Sequence, residues 1–145
     1  MKQFNAHERL RRCGIDATRN RAAVLESIAG CRHAPSAREI LARVRARRAI
    51  NKVTLYRILD LLVEKKIICR NSTGDRSFRY CLGTAGTADS HCHFFCTRCG
   101  SMLCVDMESL PAGARDLIGL LSMHVDRVEI RLDGVCSACR GGPAG

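Results

Sequence analysis

The sequence predicts an α+β chain in two parts, a winged helix followed by a smaller α/β domain closed by a four-cysteine zinc site. Three observations carry that reading. Residues 1–80 hold 19 Lys/Arg against 7 Asp/Glu, whereas residues 81–145 hold 5 against 7. The basic half shows helical periodicity and then two short β-like runs. The second half contains two C-x-x-C pairs, Cys96-Thr97-Arg98-Cys99 and Cys136-Ser137-Ala138-Cys139.

A first helix is expected before Gly14. Thr18 is placed to cap a second helix, in which Val24, Leu25 and Ile28 share a face. Ser36 is placed to cap a third, where Ala37, Ile40, Leu41 and Val44 follow the i, i+3, i+4, i+7 pattern. A further helix begins near Asn51 and buries Leu55, Ile58, Leu59 and Leu62, which turns Arg57 outward with Thr54 and Tyr56 flanking the stripe. The runs Ile67–Asn71 and Ser77–Leu82, separated by a turn holding Gly74 and Asp75, predict a hairpin. Helices followed by a hairpin make a winged helix, whose last helix enters the major groove of DNA. The charge difference between the halves agrees with a nucleic-acid module joined to a second module. A basic surface kept only for solubility is the plain alternative.

The stretch 83–90 is small and polar and reads as a hinge, giving domains at 1–82 and 91–140 and a disordered tail at 141–145. Beyond the hinge, His93–Phe95 and Met102–Val105 read as strands around a tight Cys turn, and Pro111–Met123 as a helix. Val128, Ile130 and Leu132 alternate with polar residues, as a half-buried strand requires. The chain is 46% hydrophobic and 26% charged, which suits a folded rather than a disordered protein. It has no apolar run near the ~20 residues of a membrane span. Its first residues lack the apolar core of a signal peptide, so a soluble, cytoplasmic protein is expected.

Ten cysteines without a signal peptide favour metal or redox chemistry over disulfides. A two-residue gap lets both sulfurs of a C-x-x-C pair face one ion, and two pairs complete zinc's tetrahedron in a closed, structural site. Gly100 after the first pair permits a left-handed turn. The 36 residues between Cys99 and Cys136 exceed a zinc ribbon, so a folded segment must lie between the pairs. A thioredoxin-like redox pair is the competing reading, which two pairs without a flanking βαβ pattern fit poorly. A second set of candidate ligands surrounds the hinge: Cys69 and Cys81 on the two arms of the hairpin, the pair His91 and His93, and Cys104. If the turn centres on Asp75, Cys69 and Cys81 lie directly opposite, with Cβ atoms roughly 4.5–5.5 Å apart. Either cysteine alone would pass for a small buried hydrophobe. Cys13 and Cys31 have no partner pattern and are expected in the core; His7 is expected in solvent, and His33 is a loop residue with a possible ligand role.

Four stretches carry a resemblance: LRRCGIDATRNRAAVLESI, VTLYRILDLLVEKKII, HCHFFCTRCG and VEIRLDGVCSAC. The sequence resembles the ferric uptake regulator superfamily, and most of all its zinc uptake regulators. The resemblance implies an α/β dimerisation domain, a homodimer, and metal-dependent binding to palindromic double-stranded operator DNA. It implies two zinc ions per chain. The structural one falls on Cys96, Cys99, Cys136 and Cys139. The regulatory one falls on Cys69, Cys81, His91 and His93, with Cys104 as an alternative fourth ligand. Lys52, Thr54, Tyr56, Arg57 and Arg19 are the expected DNA contacts. Cys81 stands where iron-sensing relatives usually carry Glu, as in zinc-sensing ones. Ser90 and Val128 stand where many relatives have His, so an auxiliary metal site is not expected.

Thiolates with imidazoles favour zinc over ferrous iron or manganese. The alternatives are a sensor of another metal, such as nickel or cobalt, or of thiol oxidation. A zinc enzyme is a reading from a different class. Deaminases need H-x-E followed by P-C-x-x-C, but here Cys92 lies between His91 and His93, no Pro precedes Cys96, and no H-E-x-x-H occurs. A zinc-ribbon module of a larger assembly would leave the basic half unexplained. No small-molecule substrate and no membrane partner are expected.

Overall fold

The structure is a computed structural model that describes residues 4–74, 76–82, 90–105, 112–125 and 128–141. It divides into two compact units, Met1–Ala88 and Asp89–Gly145.

The first unit opens with helices α1 (Ala6–Arg12), α2 (Arg19–Ala29), α3 (Ala37–Arg45) and α4 (Lys52–Glu64). Each starts where a short polar side chain caps it: Asn5, Thr18, Ser36 and Asn51 all accept a backbone N–H from the first turn. Ser36 forms a full capping box, because the Glu39 carboxylate accepts in return from the Ser36 N–H at 2.7 Å. The buried faces are the expected stripes. Leu10, Val24, Leu25, Ile40, Val44, Leu55, Leu59 and Leu62 meet in one apolar core. Lys66 then takes a left-handed conformation (φ 55°), which turns the chain from α4 into a hairpin.

That hairpin is β1 (Ile68–Ser72) paired antiparallel with β2 (Phe78–Leu82). The register sets Cys69 opposite Cys81 and Arg70 opposite Tyr80. Alternation therefore gives the hairpin two faces. Ile68 and Tyr80 face the helical core, and Cys69 and Cys81 lie on the other face. The segment before α3 adds a partial third strand, with a Ser36–Arg79 bridge and a Tyr80 N–H to Pro35 carbonyl bond of 2.9 Å. Arg79 reaches the Glu39 carboxylate at 2.7 Å, so one carboxylate both caps α3 and holds the hairpin.

The second unit comprises β3 (Ser90–Cys96), β4 (Met102–Val105), α5 (Ala112–Gly119), β5 (Val128–Gly134) and α6 (Ser137–Arg140). Its sheet has the order β4-β3-β5. β3 and β4 are antiparallel around the cysteine turn, whereas β3 and β5 are parallel with Cys96 opposite Gly134. A parallel pair needs a crossover connection, and the segment containing α5 supplies it.

Three expectations need correction. Cys13 is exposed at the C-terminal cap of α1, because Leu10 and Ile15 carry the apolar face past it; Cys31 is only half-buried. α5 ends at Gly119 rather than continuing to Met123, and Leu120, Leu121 and Met123 beyond it are exposed. Gly141, assigned to the tail, caps α6; residues 142–145 lie outside the described residues, as do hinge residues 83–89.

The Ser36 cap serves both α3 and the docking of the hairpin. Ser36→Ala is expected to lower global stability by about 0.5–2 kcal/mol, measured by urea unfolding. A midpoint unchanged from the parent would show that the box contributes nothing.

Candidate functional site

Three groups of side chains stand out, two in the first unit and one in the second. The first is the outer face of α4. Lys52, Val53, Tyr56, Arg57 and Asp60 are all exposed there, opposite the buried stripe, and Thr54 is half-buried between the faces. Lys52 Nζ lies 5.9 Å from the centre of the Tyr56 ring, as a cation–π contact. Asp60 pairs with Arg70 of β1 at 3.5 Å, and the Arg70 guanidinium sits 5.0 Å from the Phe78 ring centre. Arg70 therefore ties the hairpin to the C-terminal half of α4. Arg19 is exposed at the start of α2.

The second group is the thiol face of the hairpin. Cys81 is buried and Cys69 half-buried. Sequence reasoning missed Asn71, a buried residue whose Nδ2 donates to Cys81 Sγ at 3.5 Å. Its signal was available, since residues two apart on a strand share a face and Asn71 follows Cys69 by two. A hydrogen bond of this kind orients a thiolate ligand.

The third group is in the second unit. Cys96, Cys99, Cys136 and Cys139 bring four sulfurs within 4.8 Å of one another. The parallel register is the cause: Cys96 ends β3 beside Gly134, and Cys136 follows Gly134 by two residues. The first knuckle closes through a Gly100 N–H to Cys96 carbonyl bond, with Gly100 at φ 70° as the sequence anticipates. Arg98 donates to the Cys139 carbonyl at 3.0 Å, and Thr97 N–H to the Gly134 carbonyl at 2.8 Å, so the knuckles are also bonded to each other. The Cys136 N–H donates to Cys96 Sγ at 3.3 Å. This bond and others from the knuckle backbone hold the Cys96 thiol down at about 6. Cys139 is pushed up to about 12, because it donates to the sulfurs of Cys136 and Cys99. Four adjacent thiolates repel one another, and a divalent cation at their centre is what would let all four shed their protons.

These residues fit zinc. Tetrahedral Zn–S bonds of ~2.3 Å place sulfurs ~3.8 Å apart, and Cys99 and Cys136 Sγ are 3.9 Å apart. In the same sheet His93, buried, is paired across the strands with Cys104, which is exposed. Cys92 is buried on the opposite face of β3, and burial pushes its thiol up, as for a core cysteine. The His91 backbone pairs with Glu129, and its side chain lies outside the described ones. His7 and His33 are exposed in α1 and in the α2–α3 loop.

The model of the ferric uptake regulator family matches residues 12–132. The chain belongs to this family. The ferric uptake regulation protein of Bacillus subtilis (strain 168) is 28% identical over 92 residues, 63% of this chain, and the match spans 62% of that relative's length. The ferric uptake regulator from Pseudomonas aeruginosa, solved with manganese, shares the fold with a TM-score of 0.72 at 16% identity, over 92% of this chain and 99% of that one. A zinc uptake regulator in complex with zinc and DNA does so with a TM-score of 0.65 at 24% identity, over 93% and 90%.

In this ferric uptake regulator family member, the four-sulfur cluster ties the C-terminal end of β3 to that of β5. Removing one thiolate from a closed zinc site forfeits much of the folding free energy that the ion supplies. Cys96→Ser is expected to lose any zinc held by the cluster and to leave the second unit unfolded. Circular dichroism and metal analysis of the purified variant check this, and a folded variant that keeps its full zinc content contradicts it.

Proposed function

We propose that this chain is a zinc-responsive transcriptional repressor that binds palindromic operator DNA as a metal-loaded homodimer in the cytoplasm. The observation that carries the proposal is the wing itself. The same hairpin that braces α4, whose outer face exposes Lys52, Tyr56 and Arg57, carries two directly opposed thiols, Cys69 and Cys81, on its far face. A ligand bound there acts on the part of the molecule that would meet DNA. Family membership supports the regulatory role, and the zinc uptake regulator that shares the fold was solved with zinc and DNA.

Lys52, Thr54, Tyr56 and Arg57 are the proposed groove contacts, with Arg19 on the phosphate backbone. The N-terminal residues of a recognition helix meet base edges, and Arg pairs bidentately with guanine. The homodimer is supported by the second unit. Among the described residues β5 is an edge strand with Leu132 exposed, and Leu120, Leu121 and Met123 are exposed after α5. Unpaired edges and apolar patches of this kind are docking surfaces. Among the described residues no helix is long and apolar enough to cross a membrane.

Two zinc ions per chain are proposed, one structural on the four-sulfur cluster. The regulatory one takes Cys69, Cys81, His91 and His93, with Cys104 as the alternative fourth ligand. Thiolates with imidazoles bind zinc in preference to harder ferrous or manganous ions. The bound ion supplies a link between the wing and the second unit. Half-sites have a fixed spacing, so both recognition helices of the dimer dock only when that link holds the heads at a suitable angle. Zinc and DNA must then raise each other's affinity by the same factor. A thiol-oxidation sensor is the second reading, favoured by the directly opposed Cys69 and Cys81, whose Cβ spacing of roughly 4.5–5.5 Å a disulfide would need to close only slightly.

The test is DNA binding across a series of free-zinc concentrations, with operators selected from random duplexes and with nickel, cobalt and oxidant as further arms. Arg57→Ala is expected to weaken operator binding by roughly 1–3 kcal/mol, and unchanged affinity in a gel-shift titration removes Arg57 from the contact set. Cys81→Ser should keep the fold, the dimer and the structural zinc. It should hold one zinc per chain rather than two and lose zinc-dependent binding; a variant with two ions and a parental response rules Cys81 out.

A further inference from the structure

We infer that Val53 is a specificity-determining residue: its methyl groups read the 5-methyl of a thymine in the operator's major groove, beside the guanine read by Arg57. The inference rests on the operator-binding reading above and adds a base identity to it.

A single exposed aliphatic side chain on a protein surface ordinarily needs no explanation. Val53 differs in its position and in its neighbours. It lies in the first turn of α4, just after the Asn51 cap, and is 61% exposed. It starts the outward stripe Val53, Tyr56, Arg57 and Asp60, spaced i, i+3, i+4, i+7 opposite the buried Leu55, Ile58, Leu59 and Leu62. Every other member of that stripe is polar or aromatic. Two of the charged groups near it are drawn along the surface. Lys52 lies over the Tyr56 ring, and Asp60 is held by Arg70, itself stacked on Phe78. Val53 and Arg57, one turn apart, are left as the pair pointing away from the unit at the N-terminal half of the helix.

The chemistry of the major groove then selects the ligand. It offers hydrogen-bonding edges on every base pair and one apolar feature, the thymine methyl group. A valine has nothing to offer the polar edges and complements that methyl. It is also stiff: a β-branched side chain in a helix holds one dominant rotamer, so little freedom is lost on contact. Four residues along a helix rise about 6 Å, and successive base pairs rise about 3.4 Å. The thymine therefore lies one or two base steps from the guanine in each half-site.

The experiment starts from the operator selected with the parent protein. Each thymine of a half-site is replaced in turn by deoxyuridine, which removes the 5-methyl and leaves every hydrogen-bonding group. Binding is titrated with the parent and with Val53→Ala, a surface change that favours the helix and whose fold is checked by circular dichroism. The parent should lose about fourfold in affinity at one position, the worth of one buried methyl group. Val53→Ala should bind the thymine operator correspondingly less well and no longer distinguish thymine from deoxyuridine there. Parental indifference to every replacement overturns the inference. So does a Val53→Ala protein that keeps the parent's discrimination, which would assign the methyl to another side chain such as Tyr56. A parent that selects no DNA at all fails the repressor reading as well, and is told apart by that first step.

Discussion

The second unit depends on one pairing, β3 alongside β5 in parallel with Cys96 opposite Gly134. This register brings the ends of two distant segments together and sets four sulfurs within reach of one ion. The buried side chains described in this unit are few: Cys92, His93, Cys96, Met102 and Cys136. Small domains commonly add a metal or disulfides to a modest core. The cluster is electrostatically frustrated without a cation. Backbone N–H groups hold the Cys96 thiol at about 6, while neighbouring sulfurs push Cys139 to about 12. A divalent ion held by the four sulfurs would remove that conflict and stabilise the sheet in the same step.

The first unit rests on a different principle. Its apolar core is large and shared by all four helices, and Tyr80 of the hairpin belongs to it. The hairpin is thus anchored on one face by burial, and further by Glu39 to Arg79 and by Asp60 to Arg70. Exposed ion pairs add little on their own. Here they set orientation, since Glu39 belongs to α3 and Asp60 to α4. The strand period leaves the other face to Cys69, Asn71 and Cys81. A slip of one residue would put those thiols in the core and Tyr80 outside it. Register is what lets one small hairpin pack Tyr80 into the core and set Cys69 and Cys81 opposite each other on its other face.

Local features were legible in the sequence. The caps at Thr18 and Ser36, the helix start near Asn51, the buried stripes of α2 to α4, the hairpin turn and the opposition of Cys69 to Cys81 follow from rules that act over three to a dozen residues. The two C-x-x-C pairs are equally local, and the fold brings their four sulfurs within 4.8 Å of one another. Other expectations needed correction where a residue type was read without its position. Cys13 is a small thiol often found in cores, yet it falls at a helix end where the apolar face has already turned away. The run after Gly119 is apolar enough for a helix but leaves the helix at that glycine.

By itself the sequence determined the helices α2 to α4, the caps at Thr18 and Ser36, their inward stripes, the hairpin and the two C-x-x-C pairs. All of these depend on side-chain type and short-range periodicity. Only the tertiary structure decided that β5 pairs parallel with β3, that Glu39 and Asp60 anchor the wing, and that Asn71 hydrogen-bonds the Cys81 sulfur. Each of those joins groups on separate strands or helices, ten residues apart for Asp60–Arg70 and Asn71–Cys81 and about forty for the other two. Strand alternation put Asn71 on the thiol face, but which partners meet is chosen by the packing of the whole unit.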